Sequence, residues 1–415
     1  MDRTVIIQLK PTPEQATILQ RTLAEHTACF NAVAKIGFET GVGNGVELHK
    51  RTYYDLRRRY PDLPAQLVIA ARVKATEAVV SALTWAKKHE ASYHKKVVKW
   101  QKQGKDILPF KPVKAPQAHS CPIRYDARSY WVNWNHMTAS LATIAGRLEI
   151  AMSASRHAQQ YIGHRVCSAD LCYHQRRFWL HVVVSIPVPI VEPDPTVIGV
   201  DLGETRPAVT SSRHFLGQRR WKAQERRIFR LRRKLQSKGT KSAKRHLRKL
   251  SGKLFRQRRD HDHLLSKRLV QHTPAGGTIV LENLREIRSR GERRGKAARR
   301  RFHTWSFAQL AGFIAYKAEQ RGIAVFRIDP RTTSQRCSRC GHVARNNRRS
   351  QSLFLCRKCS YCLNADLNAA KNIREKYLTS LASVGTPSLV GSQSSCLSSP
   401  PSGEGQASSL SLEVT

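Results

Sequence analysis

Acidic residues are scarce in this 415-residue chain: 29 Asp and Glu stand against 73 Lys and Arg, a formal net charge of +44. A chain so one-signed repels itself unless a polyanion neutralises it. Membrane surfaces are also anionic, but the cations here are spread through folded-looking segments and are rich in Arg, which suits bidentate contact with phosphates. The charge therefore points to nucleic acid. Long apolar runs are missing as well. No stretch approaches the roughly 20 apolar residues of a membrane helix, and the opening MDRTVIIQLKPTP lacks the apolar core of a signal peptide. The expectation is a cytoplasmic protein with no membrane partner. Framework spacing is absent from the ten cysteines. Four fall in C-x-x-C pairs, while Cys29, Cys121, Cys167, Cys172, Cys362 and Cys396 are scattered, which excludes a disulfide scaffold and fits a reducing compartment. No internal repeat is visible.

What is present is enough apolar residue, 40%, for two or three cores. Residues 3 to 10 alternate as a strand does, and Thr12 and Pro13 then read as the N-cap and first position of a helix. From 11 to 99 the apolar residues recur at helical spacing, predicting a small bundle with basic faces. Between 100 and 195, Pro109, Pro112, Pro116 and Pro122 break helices, and GRLEIAM and FWLHVVVSIPV read as strands. The first strand could join that sheet, making the bundle an insertion in a β domain built from 1–10 and 100–195. Pro187 to Pro195 form a linker. From 196 the strands TVIGVDLG, 206 to 216, GGTIVLENL and IAVFRID alternate with helices, among them a basic stretch at 218 to 272. Its apolar seam is Ile228, Leu231, Leu235, Leu247, Leu250 and Leu254, with the cations outward. Beyond 377 the chain turns Ser, Gly and Pro rich, predicting a disordered tail over 378–415.

Cys337 and Cys340, then Cys356 and Cys359, form two knuckles 15 residues apart, the spacing of a structural site in which four thiolates hold one zinc ion. Gly341 lets the first knuckle fold back on itself. Chance burial of thiols and a redox C-x-x-C are the competing readings. The second lacks the strand and helix that a redox pair needs. Cys362 reads as a spare thiol.

Three acids suit phosphodiester hydrolysis, which with two metals needs carboxylates converging from strand ends. Asp201 ends the strand IGVDLG, Glu282 ends TIVLEN, and Asp366 lies in NADLNAAKNI, in the first turn of a helix. Each alone also reads plainly, as a turn former, a surface acid and a helix-start acid. An acid at the end of a buried apolar strand is costly to place, however, and metal binding is a usual reason to keep it.

IGVDLG, IVLENL, TSQRCSRCGH, FLCRKC and NADLNAAKNI resemble the split RuvC nuclease and zinc ribbon of TnpB, the transposon-encoded relative of the type V CRISPR effectors. The resemblance covers about 196 to 377, and extends more loosely to the opening strand and Pro-Thr-Pro-Glu-Gln. It implies an α+β multidomain protein: a β-barrel-like wedge domain (1–10 and 100–195) with an inserted helical recognition bundle (11–99), then an RNase H-like α/β nuclease domain (196–335 and 364–377) interrupted by the ribbon (336–363). It further implies that Asp201, Glu282 and Asp366 hold two Mg2+ ions, that the zinc is structural, and that the partners are a guide RNA and a target DNA. The implied activity is RNA-guided DNA cleavage on behalf of a transposable element. Two positions depart from the family pattern: Ser360 stands where Gly is common, and Thr332 where an aromatic is usual.

Arg226, Arg230, Arg233, Lys234, Arg245 and Arg248 repeat along the basic helices and suit a nucleic-acid backbone, giving affinity without sequence choice. A solvated helix face is the competing reading. The Arg-rich loop 288 to 301 is the candidate mobile piece over the site, and His261 and His263 carry no signal of function. A guided repressor that no longer cuts, and an unguided transposase or structure-selective nuclease, remain the alternatives.

Overall fold

The opening strand becomes the middle of a sheet. In the computed structural model, which describes residues 1–203, 206–217, 219–284, 295 and 305–383, β1 (Asp2–Lys10) pairs antiparallel with β5 (Gly146–Ala154) on one side and β7 (Arg177–Ser185) on the other. The other strands are β2 (Ile123–Tyr125), β3 (Tyr130–Asn133), β4 (Thr138–Thr143) and β6 (Arg165–His174), in the order β2-β6-β7-β1-β5-β4-β3. The two edge strands are consecutive in the chain. They are joined by a turn in which Asp126 Oδ1 accepts from the backbone N–H groups of Arg128 and Ser129, and the Tyr125 hydroxyl donates to the Ala142 carbonyl on β4, so the sheet is nearly closed. Burial alternates along β7, with Phe178, Leu180, Val182 and Val184 inside.

Three helices are inserted between β1 and β2: α1 (Pro13–Glu39), α2 (Gly45–Arg59) and α3 (Ala65–Gln101). The Thr12 hydroxyl accepts from the Gln15 N–H while the Thr12 N–H donates to Gln15 Oε1, a capping box with Pro13 opening the helix. Leu19, Leu23, Val33, Leu67 and Ala71 from these helices share one apolar core with Ile7, Leu9, Leu141, Leu171 and Leu180 from the sheet. The helices expected over 11–99 therefore have no core of their own, and the unit they form with the sheet ends at Pro187. A single turn, α4 (Arg156–Gln159), links β5 to β6.

The second unit starts at Val188. Its sheet contains β8 (Val197–Asp201), β9 (Ala208–Thr210), β10 (Phe215–Leu216), β11 (Thr278–Glu282) and β12 (Ala324–Ile328), in the order β10-β9-β8-β11-β12. β8, β11 and β12 are parallel, and β8, β9 and β10 antiparallel. The expected strand at 206 to 216 is thus a hairpin, turned through Arg213 at φ 67°. The expected basic helix is two, α5 (Arg219–Lys238) and α6 (Lys241–Gln271). The break is local chemistry: Gly239 adopts φ 64° and the Thr240 hydroxyl caps α6. Leu231, expected in the seam, is 37% exposed, whereas Ile228 and Leu250 are buried. The next helices are α7 (Phe307–Glu319) and α8 (Ala365–Ser383).

Ile198, Val200, Ile279 and Leu281 point to one face of this sheet and bury it with Leu265, Leu269, Leu310 and Ile314 of α6 and α7. Val280 points the other way, into a cluster with Ile373 and Tyr377 of α8. Leu381 packs against the same cluster, which carries α8 to Ser383, beyond the boundary at 377 where the tail was expected to begin. The loop 288 to 301, apart from residue 295, and the rest of the tail from 384 lie outside the described residues. No described helix is long and apolar enough to cross a membrane.

Candidate functional site

β8 and β11 lie side by side in register, Val197 to Val200 against Thr278 to Leu281. Asp201 and Glu282 are each the next residue after the last pair, so they end adjacent parallel strands, whose spacing is about 4.8 Å, on one face of the sheet. That is the face covered by α8, because alternation puts Asp201 on the side of Gly199 and Val197.

Gly199 sets how closely α8 approaches. A Cβ built there would lie 2.3 Å from the Ala370 carbonyl oxygen and 2.5 Å from the Arg374 nitrogen, so only glycine admits the helix backbone. Asp366 lies one helical turn before Ala370, in the first turn of α8. The Asn364 side chain caps that turn, its Oδ1 accepting from the N–H groups of Asp366 and Leu367. Two residues along β8 and one turn along α8 are each about 6 Å, which brings Asp366 over Asp201.

The electrostatics agree with convergence. Burial pushes the Asp201 carboxyl well above its ordinary range, the charges of Glu282 and Asp366 push it further, and Arg348 acts in the opposite direction. Glu282 is also raised, first by burial. The Thr333 hydroxyl, which donates to Glu282 Oε1 at 2.6 Å, and the charges of Lys376 and Arg348 moderate that rise. Asp366 is raised by burial, against the pull of Arg348, whose Nη2 donates to Asp366 Oδ1 at 2.9 Å, and of Arg206. A buried carboxylate, Asp366, and two half-buried ones, Asp201 and Glu282, with the charges of Glu282 and Asp366 raising Asp201 and Arg348 paired to Asp366, form a donor set suited to hard divalent cations.

The four cysteines also come together. Their sulfurs all lie within 4.8 Å of one another, with Cys337 and Cys359 at 3.8 Å and Cys340 and Cys356 at 3.6 Å. A tetrahedron with metal–sulfur bonds of about 2.3 Å has edges of about 3.8 Å, so the donor set fits zinc. Both knuckles have one backbone plan. Gly341 N–H donates to the Cys337 carbonyl and Ser360 N–H to that of Cys356, while Cys337 N–H donates to the His342 carbonyl and Cys356 N–H to that of Tyr361. The plan demands a left-handed residue after each second cysteine, Gly341 at φ 75° and Ser360 at φ 53°. Burial opposes ionisation of Cys356, but amides of Cys359 and Lys358 bond its sulfur and hold it down near 6. Cys362, on β14 (Cys362–Asn364) opposite β13 (Leu353–Leu355), is exposed and outside the cluster.

Several residues at this site carried no signal when read singly. Asn368 Oδ1 accepts from Ser338 N–H and its Nδ2 donates to the Arg336 carbonyl. Asn372 Nδ2 donates to the carbonyls of Thr333 and Arg336. The cysteine ribbon is thereby bonded to the helix that carries Asp366, and Arg348 reaches the acid from within it. The recoverable signal is spacing: Asn364 at the cap, then Asn368 and Asn372 in the helix, recur every four residues, and Asn368 and Asn372 are buried, where asparagine is a poor choice without partners. Away from the acids, Arg226, Arg230, Arg233, Lys234, Arg245 and Arg248 are all exposed on α5 and α6, which Arg258 ties together by bonding Glu225. His263 stacks on Phe313 at 3.9 Å, a packing role.

A family model described as the Cas12f1-like TNB domain matches residues 307–373. The CRISPR-associated endodeoxyribonuclease Cas12f1 of Sulfoacidibacillus thermotolerans is 47% identical over 97 residues, 23% of this chain and 21% of that protein. The putative RNA-guided DNA endonuclease InsQ of Escherichia coli K12 is 30% identical over 208 residues, 46% and 50% of the two chains. The TnpB-like protein MJ0751 of Methanocaldococcus jannaschii is 33% identical over 129 residues, 31% and 46%. This chain is similar to TnpB-like proteins and to Cas12f1 effectors. Its matches span half or less of these curated relatives' lengths. The fold is also similar to that in the cryo-EM structure of a Cas12f1–sgRNA–target DNA complex, with TM-score 0.55 and 16% identity over 88% of this chain and 83% of the other. That likeness supports the mixed α/β architecture with its nearly closed sheet.

Proposed function

We propose that this chain is an RNA-guided DNA endonuclease whose cutting site is the Asp201, Glu282 and Asp366 cluster of an RuvC-like domain. The observation that carries the reading is the convergence of three carboxylates, one buried and two half-buried, from two adjacent parallel strand ends and the first turn of a helix seated on Gly199. The sheet order, with two antiparallel strands on one side of β8 and two parallel ones on the other, fits an RNase H-like fold. The relatives named as RNA-guided DNA endonuclease and as Cas12f1 endodeoxyribonuclease support the substrate class.

In this reading Asp201, Glu282 and Asp366 would hold two Mg2+ ions, whose chemistry there would be activation of water and stabilisation of the leaving oxygen of the phosphodiester. The chain's own residues set the geometry. Thr333 fixes the rotamer of Glu282 through its hydroxyl, and Asn364 holds the first turn of α8 so that Asp366 faces the strand ends. Arg348 neutralises Asp366 before the charge of metal or phosphate arrives. Cys337, Cys340, Cys356 and Cys359 bind one zinc ion. Its role is structural, keeping the ribbon folded so that Arg336, Ser338 and Thr333 hold α8 through Asn368 and Asn372. The exposed cations of α5 and α6 grip a nucleic-acid backbone.

The test is to purify the chain after coexpression with its flanking DNA and sequence any bound RNA. Mg2+-dependent cleavage of a matching DNA is then measured before and after RNase treatment. A defined RNA whose removal abolishes cleavage supports the reading. RNA with DNA binding but no cutting indicates a guided repressor, and RNase-resistant cleavage indicates an unguided nuclease.

A further inference from the structure

The distal half of α3 carries side chains that the fold does not use. Past Leu83 the helix contributes nothing to the apolar core of its unit, yet it runs on to Gln101 bearing Trp85, His89, Tyr93 and Trp100. At about 100° per residue these four fall on one stripe. The segment after the helix folds back over it: the Tyr93 hydroxyl donates to the Leu108 carbonyl at 2.8 Å. Phe110 sits against His89 and Tyr93, with ring centroids 5.4 and 5.0 Å apart, and Trp100 meets Tyr93 edge-on at 6.3 Å. This cluster is preorganised but uncovered. Trp85 is 60% exposed, Leu108 61% and Phe110 38%, and exposed aromatics grouped in this way mark a binding surface.

The charge around the stripe identifies the partner. Residues 85–114 hold nine lysines and no arginine against Glu90 and Asp106, a net charge of +7. All nine lysines are exposed, and among the described residues none pairs with an acid. Lys96 falls within the stripe, and Lys88, Lys95 and Lys99 along one flank of it. A membrane anchor would show a continuous aliphatic face, and a protein partner would have to neutralise every lysine. Rings with free faces between unpaired cations suit unstacked bases on a phosphate backbone. Duplex DNA keeps its bases stacked inside, whereas RNA loops and ends splay them outward.

We infer that the Trp85–Tyr93–Phe110 cluster with Lys88, Lys95, Lys96 and Lys99 is a stacking platform for unpaired nucleotides of an RNA. The inference rests on the reading of the chain as an RNA binder, and adds to it where on the first unit unpaired RNA bases are held. Stacking on exposed rings is tolerant of sequence because every base has a π face, so the platform supplies affinity rather than readout.

The test uses the intact chain with a single-stranded RNA containing 4-thiouridine, photocrosslinked and mapped by mass spectrometry. Trp85→Ala, Phe110→Ala and a Lys96→Gln/Lys99→Gln variant are compared by RNA titration at several salt concentrations. The expected result is crosslinks within residues 85–110, a loss of RNA affinity of about five- to hundredfold for each aromatic variant, and a fall in the salt slope of about 0.7 per lysine removed. The melting temperature should be unchanged, because these side chains lie outside the core. RNA binding that maps elsewhere and is unaffected by the variants overturns the platform while leaving the RNA-guided reading intact. Absence of any RNA binding overturns both. Aromatic-dependent binding of single-stranded DNA but not RNA, or a dimer that Trp85→Ala dissolves in sedimentation, also overturns the platform.

Discussion

Ser360 and Gly341 occupy equivalent places in two cysteine knuckles built on one hydrogen-bond plan, and only one of them suits its backbone. A non-glycine residue in the left-handed region costs about 1–2 kcal/mol, and glycine returns part of that through the unfolded chain, about 0.5–1 kcal/mol. Ser360→Gly should therefore stabilise the ribbon by about 1 kcal/mol, and Gly341→Ser should destabilise it by a similar amount. At Gly341 the nearest atom to a new Cβ is Arg336 Nη2 at 3.6 Å, an ordinary contact, so the cost there is conformational rather than steric. Because metal binding and ribbon folding are one free energy, 1 kcal/mol appears as about a fivefold change in zinc affinity. Competition with a chromophoric chelator measures it. The expected order is Ser360→Gly tightest, wild type next and Gly341→Ser weakest. Equal affinities, or an inverted order, would refute the left-handed strain as the cause.

Asp201→Asn should stabilise the zinc-loaded chain in the absence of Mg2+ while abolishing cleavage, because it removes a half-buried carboxylate held against two others. The gain is about 1–3 kcal/mol, or about 2–10 °C in Tm for a unit of this size. Burial raises all three acids, so the folded state keeps protons that the unfolded state has lost. Their contribution is most favourable below the ordinary carboxylate value of 3.8 and declines as pH rises through the raised values. The advantage of Asp201→Asn should accordingly grow from pH 5 to pH 8 in calorimetry of the zinc-loaded chain without Mg2+, and shrink when Mg2+ is added; a lower Tm for the variant at pH 8 would contradict the site. Gly199→Ala should force α8 off the sheet, costing about 1–3 kcal/mol, and should depress cleavage without touching an acid. Normal melting and activity together would show that α8 yields more easily than its backbone contacts imply. Thr333→Val removes the donor to Glu282 at nearly constant shape, so cleavage should fall while zinc binding holds; unchanged kcat would remove Thr333 from the site.

Much of the second unit could be read from the chain because its elements are punctuated. The strand ends at Asp201 and Glu282 stop buried apolar runs, the knuckles announce themselves by spacing, and Asn364 opens the helix bearing Asp366. What could not be read is pairwise. Gly199 looks like one more strand residue until Ala370 and Arg374 are laid over it, and Arg348 looks like one more cation in a chain with 73. The expected strand at 206 to 216 turned out to be a hairpin because two short apolar runs, Ala208-Val209 and Phe215-Leu216, flank a polar turn through Arg213, where no glycine signals it. Leu231 sits at the right period for the seam yet faces solvent, since periodicity locates a stripe but not the length over which a neighbour covers it. α8 runs six residues past 377, into a composition that reads as a tail, because Leu381 still finds the cluster of Val280, Ile373 and Tyr377.

The most direct measurement is the cleavage of an RNA-matched DNA in Mg2+ by wild type, Asp201→Asn and Glu282→Gln, each purified with its RNA and checked for equal DNA binding. The account predicts Mg2+-dependent cutting by the wild type, lost in both variants with binding retained. Cutting that survives either substitution would contradict the three-carboxylate site.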